Sequence, residues 1–294
     1  MANPLRVRLI SWTHDPIKTA AMLWNNSRSD EPVYFDDIED DEARDTFKSL
    51  FYSKIPVLEA ISFVFILDNV PISLREQMVR HRVGTKFGVD LTAGMIPDLP
   101  SSTWWSQTMR VKDMGCFYDD GDYHIPKSIQ GTHAVDIYLG TLKEIQSAYN
   151  VLRGIGVAPE DARELLPLAV SHRISWSLNL VALQHLFQKR TCWITQMGIW
   201  QPLLEGIMRE LTDHIDHIFQ ELADPPCFNQ GVYSHCPFKI ENYPRIEGLD
   251  PYPPCPLFVN KECQGNLGLT KPDLDREQVY SDLWGRNVRT GEKI

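Results

Sequence analysis

Positive charge is scarce in this chain of 294 residues: 29 Lys and Arg stand against 39 Asp and Glu, a net charge of −10. A general nucleic-acid binder is normally basic, so that class is excluded, although a local pocket for a small anion is not. Long apolar runs are also missing. No stretch has the length needed to span a bilayer. The opening MANPLRVRLISW carries charge without the apolar run of a signal sequence. Cytoplasm is the expected location. The six cysteines form no CxxC pair, and without a signal sequence they do not suggest a disulfide framework. No internal repeat is evident.

What remains is an ordinary globular composition, 43% hydrophobic and 10% aromatic. The chain is long enough to bury a sizeable core, as one large domain or two small ones. Residues 6–12 predict a first strand, and Asp15-Pro16 a turn leading into a helix through Ala20, Ala21, Leu23 and Trp24. The acidic run 34–48 predicts a solvated loop and a helix start. Residues 59–67, rich in β-branched and aromatic side chains, predict a buried strand that turns at Asp68-Asn69. A short amphipathic helix follows over LREQMVRHR, 74–82, and Gly84 is its stop signal. Residues 83–102 predict a loop, and TWWSQTMRV, 103–111, a short strand or an ordered loop. Asp119-Asp120-Gly121-Asp122 is a turn rather than a calcium loop, because the later ligand positions are missing. Helical spacing begins at Ala134 and runs through Leu152, and another helix opens at Ala158-Pro159. RISWSLNL alternates like a strand, LVALQHLFQKR has helical spacing from about Leu178, and a long amphipathic segment runs from Ile199 to Leu222. From Ala223 the periodicity is lost, which marks a surface tail or a small separate module.

Two places combine residues that chemistry needs. In LREQMVRHR, Arg75, Arg80, His81 and Arg82 crowd the end of a helix. They suit the helix dipole or bind a ligand, and the stretch alone does not decide. In the 179–190 segment, Asn179 and Arg190 return to nearly the same face, separated by roughly 16 Å along a helix. Arg110 and Arg163 are further isolated arginines. The rigid fork of arginine suits phosphate and planar oxygen edges, so convergence of these side chains would make an anion pocket inside an acidic protein.

The segment SFVFILDNVPISLREQMVRHR, followed in order by ARELLP and NLVALQHLFQKR, resembles the flavin-dependent thymidylate synthases (the ThyX family) over roughly residues 5–222. That resemblance implies an α/β (α+β) fold, a mixed sheet with long helices, assembled as a homotetramer with sites between subunits. It implies reductive methylation of dUMP to dTMP, using FAD with NADPH and methylenetetrahydrofolate as co-substrates. Carried over by position, Gln77 and Arg80 would contact the nucleotide, and Ser106, Gln107, Thr108 and Arg110 would cradle phosphate and sugar. Arg163 would reach in from a neighbouring subunit. Arg190 would be catalytic, facing the pyrimidine edge and favouring ionisation at N3. Arg80, His81 and Arg82 would bind flavin, with Glu59, Asn179 and His185 nearby.

The chain departs from the family pattern in several places. Val83 to Ser102 is an insertion in the signature, and Thr103 and Thr108 replace serines. Trp24, Lys54, Pro56 and Ala60 stand where the family carries small polar or histidine residues, mostly on the flavin side. Two alternatives stay open: a related C5 modification, methylation or hydroxymethylation, of dUMP or dCMP, and an inactive nucleotide-binding homologue. The expected domains are a catalytic unit over 1–222 and an irregular Pro/Cys-rich extension over 223–294. Cys227, Cys236, Cys255 and Cys263 lie in that extension. Four thiolates could hold zinc, but the spacing favours free cysteines, and no metal is assigned. Cys116 and Cys192 are expected as core or near-site thiols. His214 and His217, with Asp213 and Asp216, are expected on the solvated face of the last helix.

Overall fold

The computed structural model describes residues 2–53, 55–81, 102–107, 113–190 and 197–219. Lys54, Arg82, the insertion up to Ser101, Thr108, Arg110, Cys192 and the extension with its four cysteines lie outside the described residues.

Four strands form one antiparallel sheet in the order β1-β2-β4-β3: β1 Arg6–Trp12, β2 Ser62–Pro71, β3 Ser102–Ser106 and β4 Ser171–Asn179. The described strands are all antiparallel, which places the expected helix-and-sheet class on its α+β side. Alternation decides which face is buried. Val7 and Leu9, Phe63, Phe65 and Leu67, and Ile174, Trp176 and Leu178 point into the core. Arg6, Arg8 and Arg173 lie on the opposite, exposed face.

Asp68-Asn69 does not end β2 as the sequence predicts. The strand continues to Pro71, and the register shifts between Leu67 and Val70. Asn69 takes φ 62°, a conformation that Asn tolerates better than most residues. The pair that reads as a turn is therefore accommodated as a bulge. The Asn69 amide donates to Pro4 O at 2.8 Å, and Asp68 accepts from Arg8 and Arg173.

Helices α1 Pro16–Asn26 and α2 Asp40–Ser53 pack together beside the sheet. Asp15 caps α1 by accepting from Lys18 N at 3.0 Å. Next come α3 Ile72–Met78, α4 Ala134–Gly154, α5 Pro159–Ala162, α6 Leu180–Arg190 and α7 Met197–His214. α7 crosses β1 closely: a Cβ on Gly206 would sit 2.5 Å from Val7 Cγ2 and 2.9 Å from Val7 Cβ. Glu210 accepts from Leu9 N at 2.8 Å, next to the register shift between Leu9 and Ser11. α7 ends at His214 instead of continuing to Leu222. Asp216 then accepts from Ile218 N and pairs with Arg44, so His214 and His217 do not share a helix face.

A second buried cluster joins Leu142 and Tyr149 of α4 to Met114, Phe117, Tyr123, Ala162 and Val170. Buried Gln146 holds the acidic turn there, accepting from Tyr118 N at 2.7 Å and donating to Asp119 at 2.7 Å. Cys116 is exposed on this turn, not a core thiol.

Candidate active site

Both ends of the sheet feed the site through α6. Asn179 closes β4 and caps α6, its Oδ1 accepting from Ala182 N at 2.9 Å. The backbone at the junction is tied to the residue just before β2, because Leu180 N donates to Ile61 O at 2.8 Å. Glu59 is exposed in the 3-10 turn at this end, not in a strand. From here α6 is held along its length by buried side chains, including Gln184, whose Nε2 donates to Phe51 O at 3.1 Å.

At the other end of the sheet, α3 is shorter than the amphipathic pattern predicts and stops at Met78. Val79, Arg80 and His81 continue as turns, with Arg80 N donating to Gln77 O at 3.2 Å and His81 N to Met78 O at 2.9 Å. This break turns the Arg80-His81 pair toward the C-terminal end of α6. Arg190 Nε then donates to His81 Nε2 at 2.8 Å, across 109 residues of sequence. Arginine only donates, so His81 accepts as a neutral imidazole with its proton on Nδ1. The His185 ring lies 6.2 Å from the His81 ring.

Trp200 of α7, which no sequence motif singled out, completes the cluster. It is fully buried. Its Nε1 donates to Gln77 Oε1 at 2.8 Å, its face lies 4.6 Å from Arg190 Cζ, and it meets the His81 ring edge-on at 5.5 Å. Only an aromatic inside an amphipathic stripe hinted at it, and such a residue is usually plain core.

Gln77, His81, His185 and Arg190 are thus brought together, with Arg80 close enough to act on Arg190 electrostatically. Burial first, and the charge of Arg80 second, hold Arg190 below the ordinary arginine range. Both causes work against its positive charge, and the opposite charge of an anion in the cluster would offset them. Ser106 and Gln107 lie at the same end of the sheet: Ser106 pairs with Ile174, Gln107 N donates to Arg173 O at 2.9 Å, and Pro71 pairs with Ser171. Arg163 is not brought to the cluster within the chain. It follows α5 in a 3-10 turn, and its Nε donates to Glu160 O at 3.0 Å.

Trp24 packs against the core with Arg28 over its ring at 3.9 Å, and Pro56 and Ala60 are exposed in the 3-10 turn before β2. A separate cleft of about 390 Å³ lies between the N-terminal residues, Tyr123, His124 and α7. Among the described residues no helix is long and apolar enough to cross a membrane.

The family model for the thymidylate synthase complementing protein matches residues 8–214. The chain is 28% identical to the flavin-dependent thymidylate synthase of Pyrococcus furiosus, over 70% of this chain and 80% of that protein. It is 23% identical to the enzyme of the same name from Clostridium tetani, over 79% and 90%. Among solved structures, the UMP/dUMP methylase PolB from Streptomyces cacaoi, bound with 5-Br dUMP, superposes with a TM-score of 0.57 at 16% identity. That match covers 76% of this chain and 95% of that one, and it is a likeness of fold. The family match spans β1 through the end of α7, the same elements that assemble the Gln77–His81–Arg190 cluster, and the chain belongs to the flavin-dependent thymidylate synthase family.

Proposed function

We propose that this thymidylate synthase-like methyltransferase converts dUMP to dTMP. The observation that carries the reading is the Arg190–His81 contact inside a ring of Gln77, Arg80, His185 and Trp200. In this reading Arg190 faces the pyrimidine edge. A fixed cation favours the ionised form of a nearby acid, so Arg190 draws the N3 proton equilibrium toward the anion. Gln77 and Arg80 hold the nucleotide, and Ser106, Gln107, Thr108 and Arg110 form its phosphate and sugar cradle.

On the cofactor side the described residues fit an anionic aromatic group. Arg80 offers charge, the His81 and His185 rings offer flat faces, and Asn179 retains its amide donor once its oxygen caps α6. FAD would be held by Arg80, His81, Arg82 and His185, with Glu59 and Asn179 toward the far end of α6. When bound, FAD supplies the hydride, NADPH its reduction, and methylenetetrahydrofolate the one-carbon unit. The catalytic unit is 1–222 and the assembly is a homotetramer in which Arg163 serves a neighbouring copy. Its placement away from the cluster, beside exposed Leu165 and Leu168, supports that role.

The test is the absorption spectrum of the purified protein, then product mass with dUMP and with dCMP. A flavin spectrum and a dTMP product are expected. Colourless protein that still binds dUMP tightly would leave the inactive homologue, and a modified dCMP product would leave the altered C5 chemistry. Arg190→Ala should lower turnover by on the order of 100-fold or more, as loss of a fixed donor does elsewhere. Unchanged turnover would remove Arg190 from the mechanism.

A further inference from the structure

Arg190 is a cation in a place that disfavours one. Burial and the charge of Arg80 both oppose it, yet its guanidinium carbon lies 4.6 Å from the centre of the Trp200 ring. The negative face of an indole attracts a cation at that distance, and most strongly where water is excluded. Trp200 is fully buried, and its ring is held from two further sides. Its Nε1 donates to Gln77 Oε1 at 2.8 Å, and it meets the His81 ring edge-on at 5.5 Å, with an interplanar angle of 79°. Turning the indole about its Cβ–Cγ bond would break both contacts and carry the face off Arg190. The ring is therefore a surface of set orientation where α3, which bears Gln77, meets the end of α6 and the first turn of α7.

We propose that Trp200 is a positioning residue for Arg190: its π face seats the guanidinium before the nucleotide arrives, so that the cation need not be ordered during the reaction. The inference rests on the reading that Arg190 faces the pyrimidine edge, and it adds the wall against which Arg190 is held. The opposing account makes Trp200 plain core. Packing depends on the size of a ring, whereas attraction of a cation depends on its electron density.

The experiment separates these two properties by placing a graded series of ring-fluorinated tryptophans at position 200 of the flavin-loaded protein, with thermal melts as a folding control. Fluorine drains the π face while nearly keeping the shape of the ring, and it leaves an N–H that donates to Gln77 at least as well. The kcat for dTMP formation from dUMP should fall stepwise along the series, by about 10-fold at its end, in the range of one desolvated cation–π contact. A flat or rising kcat means that Trp200 acts only as packing, and overturns the proposal. Trp200→Leu removes the face outright and should lose at least as much. If its melts show that it does not fold, the fluorinated series decides alone.

Nucleotide-free protein separates the seat from the functional reading. The Arg190 Nε–H resonance, identified by its loss in Arg190→Lys, should exchange with water faster as fluorines are added. An unchanged exchange rate means that there is no seat. Wild-type protein that makes no dTMP while that rate does respond sinks the synthase reading, but not the hold of Trp200 on Arg190.

Discussion

Arg190 sits where two physical causes oppose its charge, and the cluster holds it there by geometry: Nε on His81 and the guanidinium over Trp200. Residues of this kind are legible in sequence only through a family motif. The Arg190 position follows from the motif, but its partner Trp200 does not, because a tryptophan in an amphipathic stripe looks the same whether it packs or positions. Its contact with Gln77 spans 123 residues, beyond any local periodicity. Tyr149 illustrates the opposite case. Its ring is core, as the helical spacing predicts, yet its hydroxyl is buried with no hydrogen-bond partner among the described residues. A buried polar group without a partner is destabilising, so Tyr149→Phe should leave stability unchanged or raise it by up to about 2 kcal/mol. Urea denaturation measures this, and a clear loss of stability would mean that the hydroxyl is bonded in solution.

At the level of elements, the strands and long helices follow from alternation and 3.6-residue spacing, and the differences have local causes. β2 runs through Asp68-Asn69 because a left-handed Asn69 makes a bulge, whereas composition alone signals a turn. α3 ends at Met78, before Arg80, and its start is anchored where Ile72 N and Ser73 N donate to Val170 O and Leu168 O in the segment that leads into β4. α7 depends on a small residue that periodicity does not reveal. Gly206 lets α7 approach Val7 of β1, and a methyl group there meets a stiff β-branched side chain. Overpacking costs about 1–3 kcal/mol, and the gain in helix propensity returns about 1. Gly206→Ala is expected to lower stability by up to about 2 kcal/mol in urea denaturation, and Val7→Ala in the same background should recover part of the loss. A more stable Gly206→Ala protein would refute the close crossing.

At the scale of the molecule, two buried clusters divide the work. The larger unites the sheet with α1, α2, α6 and α7 and frames the Arg190 cluster, and the smaller uses α4 to brace the segment around Tyr123 and the turn bearing Arg163. His124 lies in the smaller region, and burial holds it below the usual histidine value of 6.5. The folded state therefore binds fewer protons than the unfolded chain once the pH drops below that value. Stability should fall as the pH is lowered from about 7 to 5, and the contribution flattens below the folded-state pKa. Thermal melts across that range check this, and His124→Gln should make the profile shallower. An unchanged slope in the variant would show that other groups carry the acid sensitivity.

The course of α6 makes it a lever. Its fulcrum is the Asn179 cap, and its tip is Arg190, roughly 16 Å away for a helix of this length. A tilt of about 4° at the cap swings the guanidinium by about 1 Å, a misplacement that can lower a catalysed rate by about 100-fold. Asn179→Ala should remove about 1 kcal/mol of stability with the cap, yet depress turnover far more than that loss of folded protein explains. Asn179→Ser, which can still cap, should recover much of the rate if the angle of the arm matters. Equal turnover in the Ala and Ser variants would show that Arg190 is aimed by its immediate neighbours alone.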